Sequence, residues 1–163
     1  MTPCGKPYEI GMHVLEREQV VPAPRDRVFG FFADARNLER LTPPSLRFRI
    51  LTPGTIEMRA GAVIDYRLSV SGLPFRWRTT IELWDPPNQF VDVQTQGPYA
   101  LWRHTHSFAD APDGRTRMRD RVEYALPFGP LGAVAHRLFV ARQLDGIFAF
   151  RQRIVADLFR AGV

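Results

Sequence analysis

Two alternating runs that meet at a turn constrain this chain more than any other feature. Downstream of Asp113-Gly114, Thr116, Met118, Asp120, Val122 and Tyr124 alternate with Arg115, Arg117, Arg119, Arg121 and Glu123. Upstream, Trp102, His104, His106 and Phe108 alternate with Leu101, Arg103, Thr105 and Ser107. A β-strand places every second side chain on one face, and Asp-Gly between alternating runs is a strong hairpin signal. With the turn centred on Asp113, His106 pairs with Asp120, His104 with Val122, Trp102 with Tyr124 and Phe108 with Met118. Four arginines do not face a core, so the ladder faces water and the histidine set faces inward.

The rest of the chain supplies a sheet and its cover. Residues 1–11 show no periodicity and read as a flexible tail before a single domain over 12–163. His13–Val21 reads as a strand, ended by Pro22 and Pro24. Arg25–Asp34 and Ala35–Leu41 read as two short helices, the second stopped by Pro43 and Pro44. Strand signals follow at Leu46–Ile50, Ile64–Val70, Phe75–Leu83 and Phe90–Gln96, separated by turn residues. Pairing Val70 with Phe75 puts the apolar sets of the middle two strands on one face. Leu131–Phe159 is rich in helix formers, with Val134, Leu138, Ala141, Leu144, Ile147, Phe148, Ile154, Val155, Leu158 and Phe159 at steps of three and four. Arg137, Arg142, Arg151, Arg153 and Arg160 are read as its polar side, and Gly146 as a tolerated glycine or room for a kink or ligand. The expected class is α+β: a curved seven-stranded antiparallel sheet gripping a long C-terminal helix, with two short helices after the first strand. Such sheets commonly leave a hollow beneath the helix that takes apolar ligands.

Composition narrows the functional classes. The 163 residues carry a net charge of +5, and Lys6 is the only lysine. Basic residues are scattered rather than run together, so nucleic acid is not an expected partner; an anionic partner on the arginine face is a weaker reading. A transmembrane segment is excluded by the lack of a long apolar run. With one cysteine, Cys4, and no secretory h-region at the N-terminus, the cytoplasm is the expected location. There is no GxGxxG, P-loop or GxSxG, and no cofactor is expected.

The opening Val20–Pro44 (VVPAPRDRVFGFFADARNLERLTPP), the middle Gly97–Phe108 (GPYALWRHTHSF) and Met118–Gly129 (MRDRVEYALPFG) resemble the SRPBCC superfamily. That superfamily includes START lipid-transfer domains, birch-pollen-type allergens and aromatic polyketide cyclases. The NLERLTPP and WxHxH forms resemble a bacterial branch described as ligand-binding or cyclase/dehydrase-like. The resemblance covers residues 13–160 and implies the helix-grip fold. It also implies a hydrophobic small molecule, of lipid, polyketide or isoprenoid type, as the partner; fold alone does not choose between carrier and enzyme.

The inward face then holds the candidate chemistry. A His106–Asp120 pair in an apolar cavity fixes one imidazole tautomer and serves as general base of a cyclase or dehydratase, or it only satisfies its own buried hydrogen bonds. Tyr66, Trp77, Trp102, His104, Met118, Tyr124 and Phe148 are the expected ligand-binding residues, the tyrosines and tryptophans because their polar tips seek partners when buried. His104 and His106 can both reach one ion with Asp120 as a third ligand, but His13 and His136 are distant and no cysteine is near, so no metal is expected. Asp92 and Gln94 are placed on the outer face, with Val91 and Val93 inside; a shift of one residue reverses this and joins Asp92 to His104.

Overall fold

A computed structural model describes residues 11–135 and 139–161. Seven strands form one antiparallel sheet: β1 (Met12–Val21), β2 (Arg49–Ile50), β3 (Val63–Val70), β4 (Leu73–Asp85), β5 (Gln89–Gln96), β6 (Leu101–Ala111) and β7 (Arg115–Ala125). Their spatial order is β1-β7-β6-β5-β4-β3-β2. Two short helices, α1 (Arg25–Ala33) and α2 (Leu38–Leu41), follow β1, and α3 (Gly129–Ala135) and α4 (Ala141–Arg160) follow β7. The sheet curves around α4, which is the helix-grip arrangement.

The central hairpin has the register read from the sequence. His106 lies opposite Asp120, His104 opposite Val122, Trp102 opposite Tyr124 and Phe108 opposite Met118. Burial alternates along β7, with Arg115, Arg117 and Arg119 exposed, Arg121 half-buried, and Thr116, Met118, Asp120, Val122 and Tyr124 buried. The turn works because Asp113 and Gly114 adopt positive φ (62° and 67°), a conformation that Gly takes freely and Asp tolerates. Outside, the ladder is neutralised: Arg117 pairs with Glu18, Arg119 with Glu16, and Arg121 with Glu16 and Glu123.

Several readings need correction. Val70 faces Leu73 and Phe75 faces Leu68, a slip of two residues that leaves both apolar sets on the same face. Within Leu131–Phe159 the described residues are helical on both sides of positions 136–138, as α3 and α4, but Val134 and Leu131, read as part of the apolar face, are exposed. His136, Arg137 and Leu138 lie outside the described residues, as do residues 1–10 of the tail. Gly146 sits on the exposed side of α4 with nothing near its Cβ position, so it makes no room for a ligand.

The larger correction concerns β5. Trp84 pairs with Phe90 as read, but the register then shifts: Leu83 faces Val91 and Ile81 faces Asp92. Glu82 is the extra residue of this β-bulge, and one extra residue reverses which side chains point inward. Phe90 and Asp92 therefore stand opposite His106 and His104 on the inner face, while Val91 and Val93 share the face of Thr105 and Arg103. Gln94 likewise turns in, its amide nitrogen donating to the Tyr99 carbonyl (2.8 Å) and its oxygen accepting from the Tyr99 N–H (3.3 Å).

Apolar side chains gather in three clusters. Val21, Val28, Phe29, Phe32, Phe108, Met118, Val155 and Phe159 join α1, the far half of α4 and the hairpin tip. Leu15, Val122, Tyr124, Leu144 and Phe148 lie under the first half of α4. Ala35, Ile64, Tyr66 and Trp77 cover β3 and β4.

Candidate functional site: a cavity with a histidine–aspartate end

Between sheet and α4 lies a cavity of about 300 Å³, at the lower end of the range of small-molecule sites. Its wall takes Tyr66, Trp77, Trp102, His104, His106 and Phe148 from the expected set. Met118 and Tyr124 are not part of the wall: they are buried in the first and second clusters. Thr79, Tyr99 and Arg151, which the sequence reading passed over, are part of it.

Most of the polar groups in this wall are already paired. The Trp77 indole N–H donates to Thr79 Oγ1 (3.1 Å), and the Tyr66 hydroxyl lies 3.1 Å from the same oxygen. Burial raises the Tyr66 phenol well above its usual pKa, so it stays neutral. Those aromatics are thereby fixed as flat walls rather than as open donors.

The polar end is built by β5, β6, β7 and α4. Because His104 and His106 are two apart on one strand, their rings lie side by side, with centroids 3.7 Å apart. Asp120 Oδ1, from β7, is 2.9 Å from His104 Nε2 and 2.9 Å from His106 Nδ1. Asp92 Oδ2, from β5, is 2.9 Å from His106 Nε2 and 3.8 Å from His104 Nδ1. Each imidazole therefore stands between two carboxylates. The sequence reading joined His106 to Asp120 alone; the structure adds His104 to Asp120 and supplies Asp92 on the opposite side. Asp120 does not reach the cavity wall, whereas Asp92 does.

Arg151 completes the cluster and overturns its assignment to the polar side of α4. It lies on the buried stripe Leu144, Phe148, Arg151, Val155, Phe159, spaced by fours and a three as a core-facing row. Its guanidinium NH2 is 3.1 Å from His106 Nδ1 and 3.5 Å from Asp120 Oδ1, and its carbon sits 5.0 Å over the Phe32 ring. The buried Nε–H has no partner among the described residues. Phe90 stacks on His106 at 4.2 Å, and Phe148 meets His104 edge-on at 5.5 Å.

The electrostatics follow from this packing. Burial, reinforced by the neighbouring His106, pushes the His104 pKa down to about 4, against the pull of Asp120 and Asp92. For Asp120 burial acts upward, but Arg151 and the hydrogen bonds from both histidines hold the carboxyl well below its usual range. Asp92 is lowered in the same way: burial opposes ionisation, and the His106 hydrogen bond with the charges of His104, His106 and Arg151 outweighs it. Asp92, His104 and His106 also offer three potential metal donor atoms within 4.8 Å of one another; the third donor is Asp92, not Asp120.

The comparisons with known proteins agree with this fold. Residues 21–149 match the family described as polyketide cyclase/dehydrase and lipid transport. No curated protein matches the chain. A Thermus thermophilus protein superposes with a TM-score of 0.72 at 18% identity, covering 91% of this chain and 98% of that one. The Zhui aromatase/cyclase of a Streptomyces species gives 0.71 at 17% identity, covering 91% and 94%. Norcoclaurine synthase from Thalictrum flavum, in complex with dopamine and hydroxybenzaldehyde, gives 0.68 at 14% identity, covering 100% and 97%. At such identities the superpositions speak for the fold. With four-fifths of the sequence matched, the chain belongs to the polyketide cyclase/dehydrase and lipid transport family of the SRPBCC superfamily.

Proposed function

We propose that the protein binds a hydrophobic small molecule of lipid, polyketide or isoprenoid type beneath α4, and orients its polar end at the histidine–aspartate cluster. The observation that carries this reading is the cavity itself: largely apolar walls converging on one polar end that holds Asp92, His104, His106 and Arg151. Apolar burial supplies affinity, and the single polar end gives the polar group of a ligand its direction. Trp77 and Trp102 line the cavity, whereas Trp84 packs beside the first cluster. An apolar ligand recovered in organic extracts or seen by native mass spectrometry should quench tryptophan fluorescence in the wild type and much less in a Trp77→Phe/Trp102→Phe variant. Equal quenching in both, or no ligand from any extract, defeats the proposal. Residence in the cytoplasm fits a single cysteine without an intramolecular partner.

A second reading, a cyclase or dehydratase, is favoured by one geometric fact. His106 lines the cavity while Asp120 Oδ1 holds its Nδ1 at 2.9 Å. Asp120 then orients the ring, and Asp92, 2.9 Å from Nε2 and part of the cavity wall, relays a proton between a substrate C–H or hydroxyl and His106. His106→Ala should abolish turnover while binding persists. Parallel loss of both argues for a binding role alone.

A further inference from the structure

Two carboxylates, Asp92 and Asp120, and the Arg151 guanidinium meet two imidazoles at the polar end. Asp120 Oδ1 lies 2.9 Å from one nitrogen of each imidazole. The Arg151 guanidinium stands at the same vertex, 3.1 Å from His106 Nδ1 and 3.5 Å from Asp120 Oδ1. The remaining nitrogens, His104 Nδ1 and His106 Nε2, both face Asp92 Oδ2. That vertex takes either one further proton or one cation.

We propose that Asp92, His104 and His106 form a binding site for a divalent transition-metal ion such as Zn²⁺, with Asp120 holding both imidazoles from behind. The site rests on geometry independent of the ligand-binding reading. Donors about 2.1 Å from an ion stand about 3.0 Å apart in octahedral and about 3.4 Å apart in tetrahedral coordination. The observed separations from Asp92 Oδ2, 2.9 and 3.8 Å, bracket those values. Two histidines and one carboxylate with open positions form a recurrent set for such ions, and a carboxylate behind a ligating imidazole is the usual support. Aromatic contacts from Phe90 and Phe148 hold the rings in place. All three donors line the cavity, so the open positions face it. With the ion bound the cluster carries a net charge of +1, which suits an anionic ligand oxygen such as a carboxylate or enolate.

Chelator-treated, untagged protein should take up Co²⁺ in a 1:1 ratio with a ligand-field absorption band, and Zn²⁺ should displace it. Asp92→Asn and His104→Gln should lower Co²⁺ affinity at least a hundredfold, and Asp120→Asn ten- to a hundredfold, with folding checked by near-ultraviolet circular dichroism. Asp92→Glu keeps the charge but moves the oxygen, so it should shift the band even if Asp92→Asn fails to fold. Absence of stoichiometric Co²⁺ uptake by the wild type overturns the site. Uptake unchanged in folded Asp92→Asn or Asp92→Glu protein overturns it too, because the ion then sits elsewhere. An apolar fluorophore titrated into the same metal-free protein tests the cavity separately, so either result can fail without the other.

Discussion

Arg151 lies 3.5 Å from the buried Asp120 carboxylate, and its removal leaves that carboxylate without its guanidinium partner. Arg151→Met fits the apolar stripe of α4 but should cost about 3–5 kcal/mol in urea denaturation, and adding Asp120→Asn should restore part of the loss. The pH dependence has a definite sign in metal-free protein. An unfolded imidazole titrates near about 6.5, and burial with His106 brings His104 down to about 4. Between those values the unfolded chain binds more protons. The stability contribution is therefore full above about pH 6.5 and is lost as pH falls toward 4. Asp92 and Asp120, held below the usual carboxylate range, keep their contribution down to still lower pH. Urea midpoints against pH should show this first loss in the wild type, and His104→Gln should flatten it. His104 and His106 were legible from their parity with Phe108 and Trp102. Arg151 was not, because an arginine on a helix is assigned to water by default. Its position in the row 144, 148, 151, 155, 159 was the available signal.

At the scale of elements, turn chemistry and the arginine ladder suffice to set the β6–β7 register from the residues alone. The β4–β5 pairing could not be read in the same way. A bulge is a single extra residue, and nothing distinguishes Glu82 in the run Thr80–Trp84 from a regular outward position. Its insertion alone turns Asp92 toward the histidines. The next turn is under a tighter constraint. A Cβ on Gly97 would stand 2.3 Å from Gln94 Oε1, whose amide holds Tyr99 by two hydrogen bonds. Gly97→Ala should displace that amide, cost about 1–2 kcal/mol, and loosen Tyr99 in the cavity wall. A thermal melt reads the first effect and ligand affinity the second.

Over the whole molecule, the cavity divides side chains that look alike in sequence. Met118 and Phe148 are both apolar, inward and buried, yet only Phe148 touches the cavity. Met118→Ala should therefore destabilise by about 2–5 kcal/mol with ligand affinity unchanged, whereas Phe148→Ala should weaken ligand binding as well. Denaturation and fluorescence titration on the same two variants decide this. Sequence periodicity identifies inward faces but not whether the space they enclose is filled. That is why the aromatic wall was foreseen while Met118 and Tyr124 were assigned to it too.

The position of the three apolar clusters gives α4 two unlike halves. Val155 and Phe159 are set in solid packing against α1 and the hairpin tip, while Leu144 and Phe148 lie over the hollow. Local opening follows packing density, so native-state hydrogen exchange should release amides near Leu144–Phe148 well before those near Val155–Phe159. Bound ligand should slow only the first group. The helix is then expected to loosen from its N-terminal half while its C-terminal end stays fastened.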